Sequence, residues 1–346
     1  MDGDLPAFPK AGQTNRFLCS TAVFLTKLRR NRSLRRLRGL QLSKARGCVW
    51  ACPVAVFRYI ASMPQTPPVV LTIAGFDPCS GAGVTADIKT IAAHGCYGVA
   101  CITAMTVQST QGVSRVEALP ARLVTDTLKE LTRDLEISAV KIGMLGSAEV
   151  VAAVSDFLTS SKLANVVLDP ILRSSSGARL LDPKGEKLML ERLLPLATVI
   201  TPNLDEAAAL AGTPVSNLEE MKAAALRLHQ RGALNVVVTG GHLDKAMDLL
   251  SFTHPNGGIE NQVFKAERQR SRSTHGTGCA FASAVACHLA HGRQLPEAVL
   301  LAKAYVAAAI THAQPLGQGT GPVDHLYRMH QPPRRQAAVA EPESVG

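Results

Sequence analysis

The sequence predicts an α/β protein in three layers, α/β/α, with a mostly parallel central sheet. Three observations predict it. Between residues 69 and 328, short β-branched runs alternate with longer Ala/Leu-rich stretches, the order expected of βα units joined by right-handed crossovers. The β-branched runs are apolar on both faces, as strands covered by helices on each side must be. No apolar run approaches the roughly 20 residues of a membrane-spanning helix, so these segments read as core.

Taken in order, the predicted strands are Val69–Ala74, Val99–Val107, Ala139–Ile142, Val166–Leu168, Thr198–Ile200 and Val236–Thr239. The predicted helices are Ala82–His94, Leu123–Leu131, Ala148–Leu158, Asp205–Ala211, Leu218–Arg231, Gly276–His291 and Leu295–His312. In such sheets ligands gather at the carboxyl ends of the strands. A Pro-rich break, Met-Pro-Gln-Thr-Pro-Pro at 63–68, precedes the first strand; its fixed φ and missing donors disfavour helix. Residues 331–346, rich in Pro, Ala, Glu and Arg without an apolar period, read as a disordered tail.

The charge is concentrated at one end. Residues 1–62 hold 12 Lys/Arg and 2 Asp/Glu, and the remaining chain holds 25 of each, so the net +10 belongs to the first segment alone. A nucleic-acid argument from basicity applies only there. The 8 Cys show no C-x-x-C pairs and no Cys/His ligand spacing, so neither a zinc site nor a disulfide framework is expected, and a reducing cytoplasmic setting is.

Three clusters carry chemistry. Residues 74–83, Ala-Gly-Phe-Asp-Pro-Cys-Ser-Gly-Ala-Gly, run from a strand through a Gly-rich loop into a helix containing Asp87, letting backbone approach a ligand closely; an ordinary strand-to-helix turn reads the same way. Residues 272–279, Arg-Ser-Thr-His-Gly-Thr-Gly-Cys, open a long apolar helix whose first N–H groups and dipole make an anion site. Cys279 there is expected to have a lowered pKa, or to be a small buried residue. In Thr-Pro-Asn-Leu-Asp-Glu-Ala-Ala at 201–208, Asn203 and Glu206 either hold Mg²⁺ through water or form a capping box. Val-Thr-Gly-Gly-His at 238–242 is a further Gly-rich strand end.

Together with Thr-Ile-Ala-Gly-Phe-Asp-Pro (72–78), Gly-Ala-Gly-Val-Thr-Ala-Asp-Ile-Lys-Thr (81–90), Ile-Thr-Ala-Met-Thr-Val-Gln-Ser-Thr-Gln-Gly-Val (102–113), Lys-Ile-Gly-Met-Leu (141–145), Val-Leu-Asp-Pro (167–170) and Gly-Pro-Val (321–323), these clusters give the chain a family likeness. Residues 69–328 resemble the hydroxymethylpyrimidine/phosphomethylpyrimidine kinases of thiamine biosynthesis, which have the ribokinase-like fold. The resemblance implies a kinase domain over 63–330 that uses ATP and Mg²⁺ to phosphorylate 4-amino-5-hydroxymethyl-2-methylpyrimidine, then its monophosphate. It implies that Gln108 hydrogen-bonds the aminopyrimidine while Asp87, Met144 and Gly75 line its pocket. Gly276, Thr277, Gly278 and Cys279 would form the anion hole, with Cys279 as base. Asn203, Glu206, Thr239 and Gly241 would serve the nucleotide, Asn203 and Glu206 organising Mg²⁺ through water. The chain departs from many members of the family it resembles at Cys79, Ser80 and Thr85, and from some at Thr239. A homodimer is the expected assembly, with neither nucleic acid nor membrane as partner.

Two rival readings remain at this level. A pyridoxine/pyridoxal kinase shares the His-Gly-Thr-Gly-Cys ending, and Gln108 suits a pyridine equally. A non-catalytic pyrimidine sensor would use the basic arm to bind nucleic acid, but that arm has no helix-turn-helix pattern. Residues 1–62 are expected to be a disordered extension: an artefact of start assignment with translation beginning at Met63, or an organelle transit peptide.

Overall fold

The computed structural model describes residues 66–329 except 175, 242–246, 255 and 266–270. The extension 1–62 and the tail 331–346 lie outside the described residues. The elements are β1 (Val69–Phe76), α1 (Gly83–Ala93), β2 (Tyr97–Ser109), β3 (Gly112–Ala118), α2 (Ala121–Asp134), β4 (Ile137–Ile142), α3 (Ala148–Ser161) and β5 (Val166–Leu168). A short α4 (Pro183–Leu188) continues through a π turn and a 3₁₀ turn to Leu196. Then come β6 (Val199–Ile200), α5 (Leu204–Ala211), α6 (Leu218–Gln230), β7 (Asn235–Gly240), β8 (Met247–Thr253), β9 (Ile259–Lys265), α7 (Thr277–Ala290) and α8 (Leu295–Thr311).

All nine strands form one sheet in the order β3-β2-β1-β4-β5-β6-β7-β8-β9. Strands β2-β1-β4-β5-β6-β7 are parallel, and antiparallel strands finish each edge. Residues alternate between two cores. Leu71, Val140, Val166, Leu168, Val236 and Val238 face the layer built from α2 to α6. Their neighbours Val70, Ala139, Val167 and Val237 face Ile91 of α1 together with α7 and α8. That period-2 division of apolar strands is what produces three layers.

The six predicted strands all form, within about two residues of their expected ends. The structure adds β3, β8, β9 and α4. β3 and β9 are sheet edges: most β9 side chains are exposed, so Ile-Glu-Asn-Gln-Val-Phe-Lys lacks the two-sided apolarity by which central strands are recognised. α4 starts from Asp182, whose carboxylate accepts from the Gly185 N–H at 2.7 Å, with Pro183 in its first turn; Gly185 and Pro195 obscure its helical period.

One buried cluster gives the fold a pH dependence. His94 ends α1 under Tyr305 of α8 and beside His288 of α7, with ring centroids 4.5 and 5.0 Å away. Burial pushes its pKa down to about 4, helped by His288, Arg328 and His291 and opposed by the Thr90 carbonyl. His325 is likewise pushed down to about 4 by burial, with Lys89 adding to the shift and Asp324 opposing it. Since the unfolded chain takes up these protons first, the stability is present above about pH 6.5 and is lost as pH falls towards 4. Each histidine is expected to remove about 2 kcal/mol by pH 5. His288 is also pushed down to about 4 by burial. Urea unfolding at pH 7.5 and 5.0 therefore measures the summed loss, and replacing His94 with Gln is expected to remove about a third of it; equal midpoints at both pH values would refute this.

Candidate active site

After β1 the chain turns at Asp77, and one carboxylate organises the turn. It accepts from the backbone N–H groups of Cys79 (2.9 Å), Gly81 (3.2 Å) and Ala82 (2.9 Å), and its Oδ2 lies 2.9 Å from His275 Nε2. Burial pushes the Asp77 pKa up, but the hydrogen bonds from His275, Cys79 and Ala82 outweigh it and hold the group down at about 2. Thr85 Oγ1 closes the loop by donating to the Asp77 and Ala82 carbonyls, 3.1 Å each.

This loop sits directly on the start of α7. Gly276 caps the helix at φ 83° with no side-chain cap bond. A Cβ on Gly276 would overlap the Gly81 carbonyl oxygen, and one on Gly81 would collide with the His275 imidazole. The segment 321–323 clasps the same point: His275 N–H donates to the Gly321 carbonyl at 3.0 Å, and Val323 N–H returns to the His275 carbonyl at 3.4 Å. Gly276, Thr277, Gly278 and Cys279 are therefore gathered at one helix N-terminus, where N–H groups and dipole favour an anion.

Gln108 lies at the end of β2, its Nε2 3.1 Å from His275 Nε2 and its Oε1 accepting from Thr106 Oγ1 at 3.2 Å. It borders a cavity of about 380 Å³ whose wall includes Gly112, Ser174, Arg272, Thr274 and His275. Met144 packs on Gly75, where an added Cβ would stand 2.8 Å from its sulfur. Asp87 is placed differently from its expected position on the pocket lining. It has no exposed surface, and it accepts from Thr72 Oγ1 (2.6 Å), Ser283 Oγ (2.8 Å) and Lys141 Nζ (3.0 Å). Asp87 supports the site from beneath.

Lys141 is fully buried, 3.0 Å from Asp87 and 3.8 Å from Asp169. Gly143 makes the room, since a Cβ there would come within 2.7 Å of the ammonium. Burial pushes Lys141 down, but the charge of Asp87, with that of Asp169, holds it above its ordinary value and charged. Asp169 is pushed up to about 6 by burial, which Lys141 only partly offsets. Its side chain accepts from the Cys279 thiol, and its Oδ2 has no hydrogen-bond partner among the described residues.

Cys279 corrects an expectation. Burial pushes its thiol up to about 12; Lys141 and the Gly83 N–H pull it down, and Asp169 and Asp87 push it further up. The helix N-terminus does not deliver a thiolate, because burial of the sulfur disfavours the charged form and the Asp169 and Asp87 charges add to that. Cys279 is a neutral thiol in this structure.

Asn203 and Glu206 form a reciprocal capping box on α5: Asn203 Oδ1 accepts from Glu206 N–H at 2.9 Å, and Glu206 Oε2 accepts from Asn203 N–H at 3.0 Å. Glu206 nevertheless remains a buried carboxylate pushed up to about 8 by burial and by the Asp169 charge. Thr239 lies beside Asn203 through a backbone bridge, its N–H donating to the Pro202 carbonyl at 2.9 Å. Gly241 follows β7 on the surface. His242 lies outside the described residues.

Four residues with clear work here carried no individual assignment from sequence: Asp77, Lys141, Asp169 and His275. Each stands inside a motif already singled out. The signal was a charge set in or just after an apolar strand, Ala-Val-Lys-Ile and Val-Leu-Asp, where burial demands an opposite charge.

The phosphomethylpyrimidine kinase family model matches residues 77–324. The chain is 45% identical over 259 residues to the thiamine biosynthesis bifunctional protein ThiED of Geobacter sulfurreducens, covering 74% of this chain but spanning about half (52%) of that relative. It is 44% identical over 263 residues to a hydroxymethylpyrimidine/phosphomethylpyrimidine kinase of Streptomyces coelicolor, covering 76% of this chain and 96% of the relative. An ADP complex of Bacillus subtilis pyridoxal kinase superposes with a TM-score of 0.69 at 34% identity, over 76% of this chain and 99% of that one. The matched span begins at the carboxylate that organises the loop and runs through the strap that clasps the helix start, so it takes in all of the site but Thr72 and Gly75 at the end of β1: the chain belongs to the phosphomethylpyrimidine kinase family.

Proposed function

We propose that this chain transfers a phosphoryl group from ATP to the hydroxymethyl oxygen of 4-amino-5-hydroxymethyl-2-methylpyrimidine, and then a second to the resulting monophosphate. The observation that carries the reading is the continuity of Gln108, His275 and Gly276. An amide able to donate and accept sits 3.1 Å from His275, and the next residue begins the anion-binding helix start. A ring held by Gln108 against Met144 and Gly75 thus presents its substituent to the N–H groups of 277–279. Phosphoryl transfer asks mainly for this positioning and for charge stabilisation.

The residues present fit a divalent cation. Burial and the Asp169 charge hold the Glu206 pKa up, a buried negative potential that bound Mg²⁺ would relieve. Both capping-box side chains already use hydrogen bonds internally, so Asn203 and Glu206 would hold the ion through water. Bound there with ATP, Mg²⁺ would neutralise phosphate charge. Thr239 and Gly241 border the same strand ends.

The thiol explains how a neutral Cys279 serves the first transfer. As the substrate hydroxyl passes its proton to the sulfur, the S–H proton passes to the Asp169 carboxylate, which already accepts it. The second acceptor is an ionised phosphate and needs no base. Replacing Cys279 with Ala is expected to slow the first transfer by ~10²–10⁴-fold, as loss of a general base does, and the second by less than ~10-fold. The two purified pyrimidines with Mg·ATP test this; equal losses would dismiss the base assignment, and no turnover by the parent enzyme would dismiss the reaction itself.

A second reading has one observation in its favour, the 34% identity and shared fold with a pyridoxal kinase. The ratio of kcat/KM for the pyrimidine to that for pyridoxal decides between them. A homodimer belongs to the proposal and is read by light scattering. Among the described residues, no helix is long and apolar enough to cross a membrane.

A further inference from the structure

The loop that shapes the pocket and the helix start beneath it bring together a donor set whose sulfur has no part in the phosphoryl transfer. An Asp77 carboxylate oxygen, Cys79 Sγ and His275 Nε2 all lie within 4.8 Å of one another. The Asp77 and His275 side chains are only 4% and 11% exposed, while Cys79 is half-buried at the loop surface. We propose that Asp77, Cys79 and His275 form a three-ligand site for a thiophilic divalent cation of the zinc class, and that its occupation excludes the pyrimidine.

The donor chemistry selects the cation. One sulfur, one imidazole nitrogen and one carboxylate oxygen suit Zn²⁺, which takes such mixed sets tetrahedrally at about 2.0–2.3 Å. Mg²⁺ prefers oxygen ligands and does not favour the thiolate. The metal-free hydrogen bonding is already arranged around the same point. The Cys79 thiol donates to Asp77, and His275 Nε2 stands 2.9 Å from the same carboxylate. The cation replaces these hydrogens: the Cys79 S–H bond breaks, the sulfur–metal bond forms, and one proton leaves to solvent. Neutral His275 binds through Nε2 with its proton on Nδ1. Two anionic ligands then balance the ion, so the half-buried site ends neutral.

The backbone holds the ligands in place beforehand. Asp77 is fixed by three loop N–H groups, and His275 by Gly321 and Val323. With the donor atoms all within 4.8 Å of one another, metal-bond distances ask for adjustments of side chains and not of the loop backbone. The fourth coordination position is left to water. Exclusion of the pyrimidine, which rests on the reading of Gln108 given above, follows because Gln108 lies 3.1 Å from the same His275 nitrogen: an ion seated there places charge against the amide that would hold the ring.

Cobalt(II) is the probe, added to the full-length, untagged protein after treatment with EDTA. One equivalent is expected to produce a thiolate-to-cobalt charge-transfer absorption with tetrahedral d–d bands. In Cys79→Ser the charge-transfer band should vanish, zinc affinity measured by chelator competition should weaken at least 30-fold, and one fewer proton should be released per ion. An unchanged thermal midpoint in EDTA establishes that the variant is folded, and His275→Asn supplies an independent loss of affinity with the thiolate intact. The same band in Cys79→Ser, or none in the parent, would overturn the site. Saturating hydroxymethylpyrimidine should weaken apparent zinc affinity at least tenfold; a band that appears but is indifferent to the pyrimidine would overturn the exclusion alone.

Discussion

Replacing Gly276 with alanine is expected to lower kcat/KM by at least ~10²-fold for both phosphorylation steps. The residue sits at φ 83°, where an L side chain costs ~1–2 kcal/mol, and its Cβ would overlap the Gly81 carbonyl oxygen. Neither partner has an easy escape. Gly81 is tied to Asp77 through its N–H, and the His275 backbone is tied to Gly321 and Val323. Relief has to come from separating the loop from α7, which moves the first helical N–H groups away from the phosphoryl oxygens. Because both transfers use those groups, both should fall together, unlike the split expected for Cys279. Steady-state kinetics with each substrate measure it; a variant within tenfold of the parent in both steps would show that the close approach of the two backbones is dispensable.

Replacing Lys141 with methionine is expected to destabilise the protein by about 3–5 kcal/mol, the range for stranding a buried charge. The ammonium is the cation placed between Asp87 and Asp169, with no exposed surface of its own. Without it Asp87 keeps two hydroxyl donors, Thr72 and Ser283, but Asp169 keeps only the Cys279 thiol. One carboxyl must take up a proton or the core must open. Combining Lys141→Met with Asp87→Asn is expected to recover at least half of the loss, since the second change removes one of the two buried charges and its repulsion of Asp169. Chemical unfolding of the two single variants and the double variant gives the coupling directly; a single-variant loss below 1 kcal/mol would refute the assignment.

The parts of the fold visible in sequence are those governed by local pattern. β1 and β4 to β7 are buried on both faces and announce themselves as apolar runs; β9 is paired on one side only and is polar along most of its length. The same distinction holds within the site. Gly276–Cys279 is legible because a glycine-rich helix start is local geometry. The junction of Lys141 with Asp87 spans 54 residues, and nothing periodic links the two. Only the oddity of a lysine in Ile-Ser-Ala-Val-Lys-Ile marks it. The choice between a lowered pKa for Cys279 and a small buried residue is not legible for the same reason. The helix dipole is readable along the chain, whereas the burial of the sulfur and the charges of Asp169 and Asp87 come from other elements.

The clasp between the first loop and the last helices has a consequence for how the enzyme comes into being. Asp77 and His275 are 198 residues apart, and the Thr110 side chain accepts from Gly319, 209 residues further on. At ribosomal rates of roughly 5–20 residues per second, roughly 10–40 s pass between the emergence of Asp77 and that of His275. Throughout that interval the nascent chain has no anion hole, because residues 276–279 have not yet emerged, and the strap at 321–323 follows later still. Assembly of the anion hole therefore belongs to the end of translation, and a chain ending before residue 321 lacks the hydrogen bonds that hold His275 in place.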